Sequence, residues 1–283
     1  MAVDRNVHNL EILARRAPGI ETHVADLAEP GGWEELLAGA DAVVDLKAQI
    51  TSPALEVHER NNVVAGRRVL DACGRHGVPH LVHLSSSVVI SVANDAYTRS
   101  KRVAERAVRE SDVPHTVLRP PLLYGHFDVK HVGLILRHLR RWPVLPIPGN
   151  GRYLRQPLFV GDLCRAIGAV LGRPAAGRVH DVIGHERIPF IELLRRAASL
   201  AGLRALLVPT PLALYRLALG ALARVSDRPS FTREQLDALV AGDDFPVGSW
   251  AEELGVRYTP FAEAAPLVFG APAPEWREMA STQ

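Results

Sequence analysis

Residues 81–101 read LVHLSSSVVISVANDAYTRSK, an apolar run that ends in three serines and leads, ten residues later, to a tyrosine and a lysine. The run 81–84 is typical of a buried strand, and the pattern over 97–110 is typical of an amphipathic helix. Tyr97 and Lys101 lie four residues apart, so they share one face of that helix. The stretch therefore predicts a strand followed by a helix, with a serine from the strand end near a tyrosine and a lysine.

These three side chains suit proton transfer. An ammonium group beside a phenol favours the phenolate, so Lys101 is expected to lower the pKa of Tyr97. A serine hydroxyl would orient a substrate carbonyl or alcohol between them. The combination predicts a general acid-base site that moves a proton while a cofactor moves a hydride.

Short apolar strands alternate with helices over the first two-thirds of the chain. Strands are predicted at 20–24, 42–46 and 115–118, and the clearest helix covers 61–76 and ends at Gly77. Nearly all-apolar strands are typical of a parallel sheet with helices on both faces. The sequence therefore predicts an α/β fold.

The pattern loosens beyond residue 125. A proline- and glycine-rich segment at 143–151 separates predicted helices, and the region is expected to be smaller and mostly helical. The predicted division is therefore 1–125 for the sheet domain and 126–283 for the second region, with 155–171 packing back on the sheet. The helices predicted in the second region cover 132–141, 162–171, 190–201 and 232–240.

The composition is that of an ordinary soluble globular protein, with 47% apolar and 23% charged residues in a chain of 283. The formal net charge of +2 is too small to indicate a nucleic-acid partner. Cys73 and Cys164 are far apart and the histidines show no ligand spacing, so neither a disulfide framework nor a metal site is expected. This cysteine usage fits a reduced, cytoplasmic location.

One apolar segment, 209–225, needs to be weighed as a membrane span. It is interrupted by Arg216 and Arg224. Both charges would lie near the hydrocarbon core of a bilayer, which is energetically costly. We therefore expect a core helix or a helix lying on the surface, and no stable membrane span.

Further motifs follow one another along the chain. They are Asp26-Leu27, the strand end VDLKAQ at 44–49, the serine run 85–87, the helix start 97–101, LRPPLLYG at 118–125, RQPLFVGD at 155–162 and WAEELGV at 250–256. In this order they resemble the NAD-dependent epimerase/dehydratase superfamily, an extended or atypical branch of the short-chain dehydrogenases/reductases. The resemblance implies a Rossmann-like, doubly wound parallel sheet with a smaller, mostly helical C-terminal substrate region.

The resemblance also implies an oxidoreductase, epimerase or dehydratase that uses NAD or NADP on a small-molecule alcohol or ketone. Tyr97 would be the acid/base, and Lys101 would lower its pKa and hold the nicotinamide ribose. Ser87 would orient the substrate oxygen, with Ser86 as the competing choice.

The remaining site residues follow from the same resemblance. Asp4 or Arg5 would face the adenosine ribose, and Arg5 would matter more if the cofactor carries a 2′-phosphate. Substrate contacts are expected from Ser86 and Arg155. The expected cofactor contacts come from Asp4, Arg5, Asp26, Leu27, Leu46, Lys47, Ala48, Asn62, Tyr97, Lys101 and Pro120.

The chain departs from the family pattern in three ways. No glycine-rich phosphate loop precedes the site, so the first strand, its turn and the first helix are expected to be missing. Lys47 stands where the family has a small residue. The connection from Ser87 to Tyr97 is short, which argues against a typical nucleotide-sugar substrate and for a smaller or more open pocket.

The missing loop leaves two further interpretations open. In one, the chain is a scaffold or regulatory protein that keeps the fold but binds cofactor poorly. In the other, the start codon lies upstream of Met1 and the enzyme is longer. An incomplete sheet would expose backbone groups and an apolar edge, so a partner or a homodimer is expected to cover it.

Overall fold

The computed structural model describes residues 1–52, 54–128, 130–225 and 232–270, with the side chains of 222–225 left out. The strands lie at Ala2–Asp4 (β1), Thr22–Val24 (β2), Val43–Asp45 (β3), Leu81–Leu84 (β4), His115–Leu118 (β5), Leu123–Tyr124 (β6), Val144–Pro148 (β7), Leu154–Arg155 (β8), Leu158–Phe159 (β9), Arg178–His180 (β10), Ile188–Pro189 (β11) and Leu206–Thr210 (β12). The α-helices lie at Val7–Arg16 (α1), Leu55–His58 (α2), Ala65–Arg75 (α3), Ala96–Arg109 (α4), Val132–Arg141 (α5), Val160–Leu171 (α6), Phe190–Leu200 (α7), Leu212–Val225 (α8), Arg233–Ala241 (α9), Trp250–Leu254 (α10) and Phe261–Phe269 (α11).

A four-stranded parallel sheet carries the site. Its order is β10-β5-β4-β3, and its register places Asp45 opposite His83 and Leu84 opposite Leu118. Strands β1 and β2 pair in parallel as a separate two-stranded sheet. The predicted α/β class with parallel strands is therefore confirmed.

Helices cover both faces of the four-stranded sheet. Side chains alternate along each strand, so Leu81 and Val117 pack against α3 and α4, whereas Val82 and Leu118 pack against α6 and α10. Each face is thus buried under helices of its own, which explains why these strands read as nearly continuous apolar runs.

Strands β1 and β3 each have one edge that meets no strand within the part of the chain that the structure describes. Strand β1 pairs with β2 alone, and β3 pairs with β4 alone. Val3 of β1 and Val43 of β3 nonetheless pack against the same apolar cluster beneath the sheet. The two sheets therefore share one core although they are not joined by hydrogen bonds.

The helix predicted over 61–76 is longer than expected and irregular. It begins with α2, passes through a π-helical segment at Glu59–Val64 and continues as α3. A π segment adds a residue to each turn and is frequent at functional sites. Here it carries Asn61 and Asn62 towards the carboxyl end of β3.

The second region contains more strand than the sequence indicated. The segment predicted only as proline- and glycine-rich forms β7, which pairs in parallel with β12 over five residue pairs. Proline fits this position because the ribbon has only two strands and thus many free backbone positions. Strand β10 adds to the main sheet, and α6 packs on it. A second core of α5, α7 and α11 surrounds Tyr124.

Among the described helices, none is both long and apolar enough to cross a membrane.

The close approach of Gly184 to the turn between β8 and β9 provides a test of this packing. A Cβ on Gly184 would lie 2.2 Å from the carbonyl oxygen of Pro157, a backbone atom that cannot rotate away. We expect Gly184→Ala to lower the free energy of unfolding by about 1–3 kcal/mol, measured by chemical denaturation.

Gly168 in α6 is the matched control, because a Cβ there meets nothing within 4 Å. Gly168→Ala should raise the free energy of unfolding by about 0.5–1 kcal/mol, as alanine is favoured over glycine within helices. Equal effects of the two substitutions would contradict this packing.

Candidate active site

Helix α4 places the predicted tyrosine and lysine at the carboxyl edge of the sheet. The helix starts after Asp95, whose carboxylate accepts a hydrogen bond from the backbone N–H of Thr98 at 2.9 Å. Tyr97 in the first turn is partly buried, and Lys101 one turn later is 2% exposed. The sequence thus located the helix and the face that points to the strand ends.

The phenol of Tyr97 differs from the sequence expectation. Its pKa is raised to about 12, because burial disfavours the phenolate and outweighs the opposite effect of a hydrogen bond with Ser86. The serine that acts on the phenol is therefore Ser86, and the expected lowering by Lys101 is not observed. At neutral pH the Tyr97 side chain carries its proton.

Lys101 explains why this lowering is missing. Its ammonium group donates a hydrogen bond to the carbonyl oxygen of Leu84, 2.7 Å away at the end of β4. Burial lowers the pKa of Lys101 to about 8, although Asp45 and Glu105 favour the charged form. The ammonium group is thus fixed to the end of β4.

The three serines at the end of β4 have different surroundings. The hydroxyl of Ser85 donates a hydrogen bond to the buried carboxylate of Glu105. Ser86 precedes a 3-10 turn and accepts the backbone N–H of Val88. Ser87 is 2% exposed, and its N–H donates to the carbonyl oxygen of Pro120 at 2.9 Å. The buried Pro120 therefore fixes the position of Ser87 through its own carbonyl oxygen.

Glu105 joins α4 to two strand ends. Besides Ser85, its carboxylate accepts hydrogen bonds from the guanidinium of Arg119, with Nε at 2.9 Å from Oε2. Arg119 also contacts Asp181 at 3.2 Å. Burial would raise the pKa of Glu105, but Arg119 and Ser85 hold it below the ordinary value, so the carboxylate is charged.

A second buried group of charges lies at the ends of β3 and β4. Oδ2 of Asp45 accepts hydrogen bonds from Nζ of Lys47 at 2.7 Å and from Nδ1 of His83 at 2.9 Å. Leu46 and Ala48 are exposed, so Lys47 between them turns inward and packs over Gly66 of α3. Lys47 was predicted to contact cofactor; its ammonium instead pairs with Asp45.

Asn62 connects the strand end to α4. Its side chain accepts the N–H of Gln49 at 2.7 Å and donates to the carbonyl oxygen of Gln49 and to the hydroxyl of Ser100. The buried ring of His58 bonds the same loop and lies 6.4 Å from the ring of Tyr97. Asn62, predicted as a cofactor contact, is thus committed to holding the loop 46–52.

The residues predicted to face the adenosine ribose of the cofactor lie near one another. Asp4 accepts the N–H of Asn6 at 2.9 Å, at the start of α1. Arg5 donates to Asn61 at 3.0 Å and to Gln49 at 3.4 Å, which spans from β1 to the loop after β3.

The next predicted contacts follow β2. Asp26 forms an ion pair with Arg60 of the π segment at 2.9 Å. Burial favours the neutral form of Asp26, but the N–H of Ala28 and the Arg60 guanidinium hold its pKa below the usual value. Leu27 is partly buried and packs against the core under the sheet. Asp26 thereby links the loop after β2 to the helix that carries Asn62.

Arg155 lies away from this edge. It is 4% exposed, and its guanidinium contacts Asp243 at 3.1 Å, the carbonyl oxygen of Leu239, and the faces of Tyr153 and Phe190. This placement does not support the substrate contact that the sequence predicted. Arg155 instead joins β8 to the segment after α9.

The sequence reasoning missed Asp45, His83, Glu105 and His58 as components of the site. Glu105 could have been found, because it lies four residues after Lys101 on the same face of α4. The Asp45–His83 pair could not, because it depends on the register between β3 and β4. Among the described residues, no group of three or more side chains is suited to a metal ion.

The carboxyl edge of the sheet offers groups that suit the nicotinamide half of a dinucleotide. Leu46 and Ala48 are exposed after β3, and Tyr97 and Ser86 lie at the same edge. These groups would hold the nicotinamide ribose and the reacting carbon. Asp4 and Arg5 at the end of β1 would face the other ribose. Bound there, the dinucleotide would supply or accept a hydride.

The buried Asp45–His83 pair makes stability depend on pH. Burial lowers the pKa of His83 more than Asp45 raises it, so the folded protein holds this ring neutral. In the unfolded chain the ring takes up a proton below about pH 6.5. The free energy of unfolding should therefore fall as the pH is lowered below that value, measured by denaturation at a series of pH values.

The substitution His83→Gln should reduce this fall, because it removes the ring that takes up the proton on unfolding. If the His83→Gln variant and the wild type lose stability in parallel, the pair does not control the pH response.

Comparison with known proteins agrees with the geometry. A ceramide reductase from Caulobacter vibrioides is 27% identical over 274 residues, which is 93% of this chain and 81% of the reductase. A dTDP-glucose 4,6-dehydratase from Streptomyces niveus is 27% identical over 62% of this chain, and the match spans 60% of the dehydratase. The chain thus matches most of one relative and about three-fifths of the other.

Solved structures show the same fold. DesIV, a dTDP-glucose 4,6-dehydratase from Streptomyces venezuelae with NAD and TYD bound, superimposes with a TM-score of 0.75 over 98% of this chain and 86% of its own, at 20% identity. MoeE5 in complex with UDP-glucose and NAD gives a TM-score of 0.70 over 99% of this chain and 98% of its own, also at 20% identity. The model of the NAD dependent epimerase/dehydratase family matches residues 1–184. The chain therefore belongs to the NAD dependent epimerase/dehydratase family.

Proposed function

We propose that the protein is an NAD(P)-dependent oxidoreductase whose Tyr97 gives a proton to, or takes one from, an oxygen on a small-molecule substrate. The observation that carries this proposal is the position of Tyr97. Its phenol lies at the carboxyl edge of the parallel sheet and interacts with Ser86, and Lys101, one turn later on the same helix, donates a hydrogen bond to the end of β4. Substrates bind at this edge in open α/β sheets.

The state of the phenol favours reduction of a carbonyl. Because burial raises the pKa of Tyr97 to about 12, the group is protonated at neutral pH and serves as an acid. Tyr97 would donate this proton to a carbonyl oxygen of the substrate, and a nicotinamide cofactor held at the same edge would supply the hydride to the carbonyl carbon. Ser86 orients that oxygen through its hydroxyl, and Ser87 holds the strand end through its backbone.

Lys101 acts on this step through its charge. The buried ammonium is the positive group closest in sequence to Tyr97 on its helix face, and negative charge forms on Tyr97 when the proton leaves. Glu105 and Asp45 favour the charged form of Lys101, whereas burial opposes it. The lysine is therefore effective only while it keeps its proton.

The substrate class is proposed from the relatives. The ceramide reductase covers nearly the whole chain, which favours reduction of a carbonyl on a long-chain or otherwise amphiphilic molecule. The dTDP-glucose dehydratases match a smaller share and favour a sugar ring. The short connection from Ser87 to Tyr97 leaves less protein to enclose a nucleotide sugar, so we favour the first class.

A scaffold or regulatory role is the second candidate. Nζ of Lys101 is bonded to Leu84 and the amide of Asn62 to Gln49 and Ser100, so several groups expected to contact cofactor are satisfied within the protein. Titration with NADH and NADPH, followed by nicotinamide fluorescence, separates the two roles. Saturable binding supports the enzyme, and no binding up to millimolar cofactor supports the scaffold.

Substitution of the proton donor tests the mechanism. Tyr97→Phe should lower kcat by about 10²–10⁴-fold, because the ring remains and only the hydroxyl is lost. Affinity for the reduced cofactor should stay within about twofold. The measurement is consumption of NADH or NADPH with a long-chain ketone and with a cyclic sugar ketone as substrates.

Tyr215→Phe, in α8, is the matched control and should retain full activity. Retained turnover in Tyr97→Phe would show that another group supplies the proton.

The charge of Lys101 predicts the alkaline limit of activity. Since the pKa of Lys101 is lowered to about 8 by burial, its positive charge is present below that pH and is lost above it. The value of kcat/KM should therefore decline as the pH rises above about 8, well below the ionisation of Tyr97. Lys101→Arg should shift this decline upward in any variant that retains turnover, because a guanidinium stays charged.

A profile that is flat to pH 10 in the wild type would assign no catalytic role to the charge of Lys101.

A further inference from the structure

The outward face of α8 is apolar, which is unusual for a helix on a protein surface. Leu214 is 55% exposed and Leu217 is 65% exposed, while Leu219 on the opposite side is buried. A surface helix ordinarily turns polar residues outward. Within residues 212–221 of α8, the exposed positions are Ala213, Leu214, Arg216, Leu217, Ala218 and Ala221. Only Arg216 among them is polar.

The strand ribbon that leads into α8 has the same character. Val144 of β7 lies opposite Leu206 of β12, and Pro146 lies opposite Val208, so all four share one face of the ribbon. All four are exposed, with Leu206 at 61%. Trp142, immediately before β7, is 68% exposed. We call these residues and the outward side of α8 the apolar face.

The segments that build the apolar face contain basic residues and no acidic ones. No aspartate or glutamate occurs between Asp128 and Asp162, or between Glu192 and Asp227. Arg141 adjoins Trp142, and Arg204 precedes β12 by two residues; both are exposed. The whole chain has a formal net charge of only +2, so this part is basic against a nearly balanced background. One cation on the face, Arg216, is paired with Asp237 of α9 at 2.7 Å.

We propose that the apolar face docks on the surface of a membrane that contains anionic lipids. Exposed leucine and valine side chains, an adjacent tryptophan and flanking arginines are the features of segments that lie in the interface of a bilayer. The apolar groups enter the boundary between headgroups and acyl chains, and Arg141 and Arg204 meet the phosphates. Docking of this kind requires neither a spanning helix nor a lipid anchor.

A second copy of the chain is the less suitable occupant. In a symmetric dimer the same patch faces itself, so the apolar face would bring the arginines of one copy towards those of the other. Because the two segments lack acidic residues, no carboxylate within them would compensate this repulsion. An anionic lipid surface supplies the opposite charge.

The test is vesicle flotation of the full chain. One set of vesicles contains phosphatidylcholine alone, and the other contains phosphatidylcholine mixed with phosphatidylglycerol. We expect binding to the anionic vesicles that weakens with added salt. Leu214→Glu and Leu206→Glu should each weaken it by about tenfold or more, because they place an acid on the apolar face. Arg204→Glu should weaken it by at least about fivefold.

Val7→Glu is the matched control, because Val7 is a 52% exposed apolar residue on α1, outside the apolar face. It should bind vesicles as the wild type does. Circular dichroism and thermal unfolding confirm that each variant is folded; since the substituted side chains are exposed, all should be.

Three results would overturn the proposal. One is the absence of vesicle binding at low salt, and another is equal loss of binding in Val7→Glu and Leu214→Glu. The third is a wild-type dimer in light scattering that Leu214→Glu converts to monomer, which would assign the apolar face to contact between copies.

Discussion

The buried carboxylate of Glu105 is the interaction on which the site depends. It receives Ser85 from the end of β4 and Arg119 from the end of β5, so helix α4 is fixed against two strands at once. A buried charge is costly unless it is fully paired, and removal of either partner would leave the other uncompensated. The geometry is thereby restricted to one arrangement. Tyr97, two turns earlier on the same helix, owes its place at the sheet edge to this anchor, and so does the separation between its phenol and Ser86.

A second buried charge sets the electrostatics of the same edge. Asp45 is held as a carboxylate by Lys47 and His83, and its charge also favours the protonated form of Lys101. Asp45 thus pairs with the cations next to it, while burial keeps the proton on the phenol of Tyr97. The two acidic residues together explain why the lysine remains charged near neutral pH despite being 2% exposed.

Local patterns in the sequence were sufficient for the fold class and for the position of α4, because strand ends, helix faces and i, i+4 pairs are local properties. The orientation of single side chains could not be predicted from local patterns. Lys47 turns inward because its ammonium pairs with the buried carboxylate of Asp45, which also accepts a hydrogen bond from His83 through the register of β3 and β4. Arg155 was misplaced because its partner Asp243 is far along the chain. Ser86 rather than Ser87 meets Tyr97 because a 3-10 turn begins there. The π segment also has no clear signature in the residues that form it.

The apolar run 209–225 shows where pattern reasoning ends and exposure must decide. The same amino-acid sequence is compatible with a core helix, which buries both faces, and with a surface helix, which exposes polar side chains to water. Helix α8 does neither, since Leu219 packs inward while Leu214 and Leu217 face solvent. The adjoining ribbon repeats the feature on a different type of secondary structure, so helix propensity cannot explain it. A shared environment for both elements can, and the basic residues in two segments without acidic ones favour an environment of negative charge.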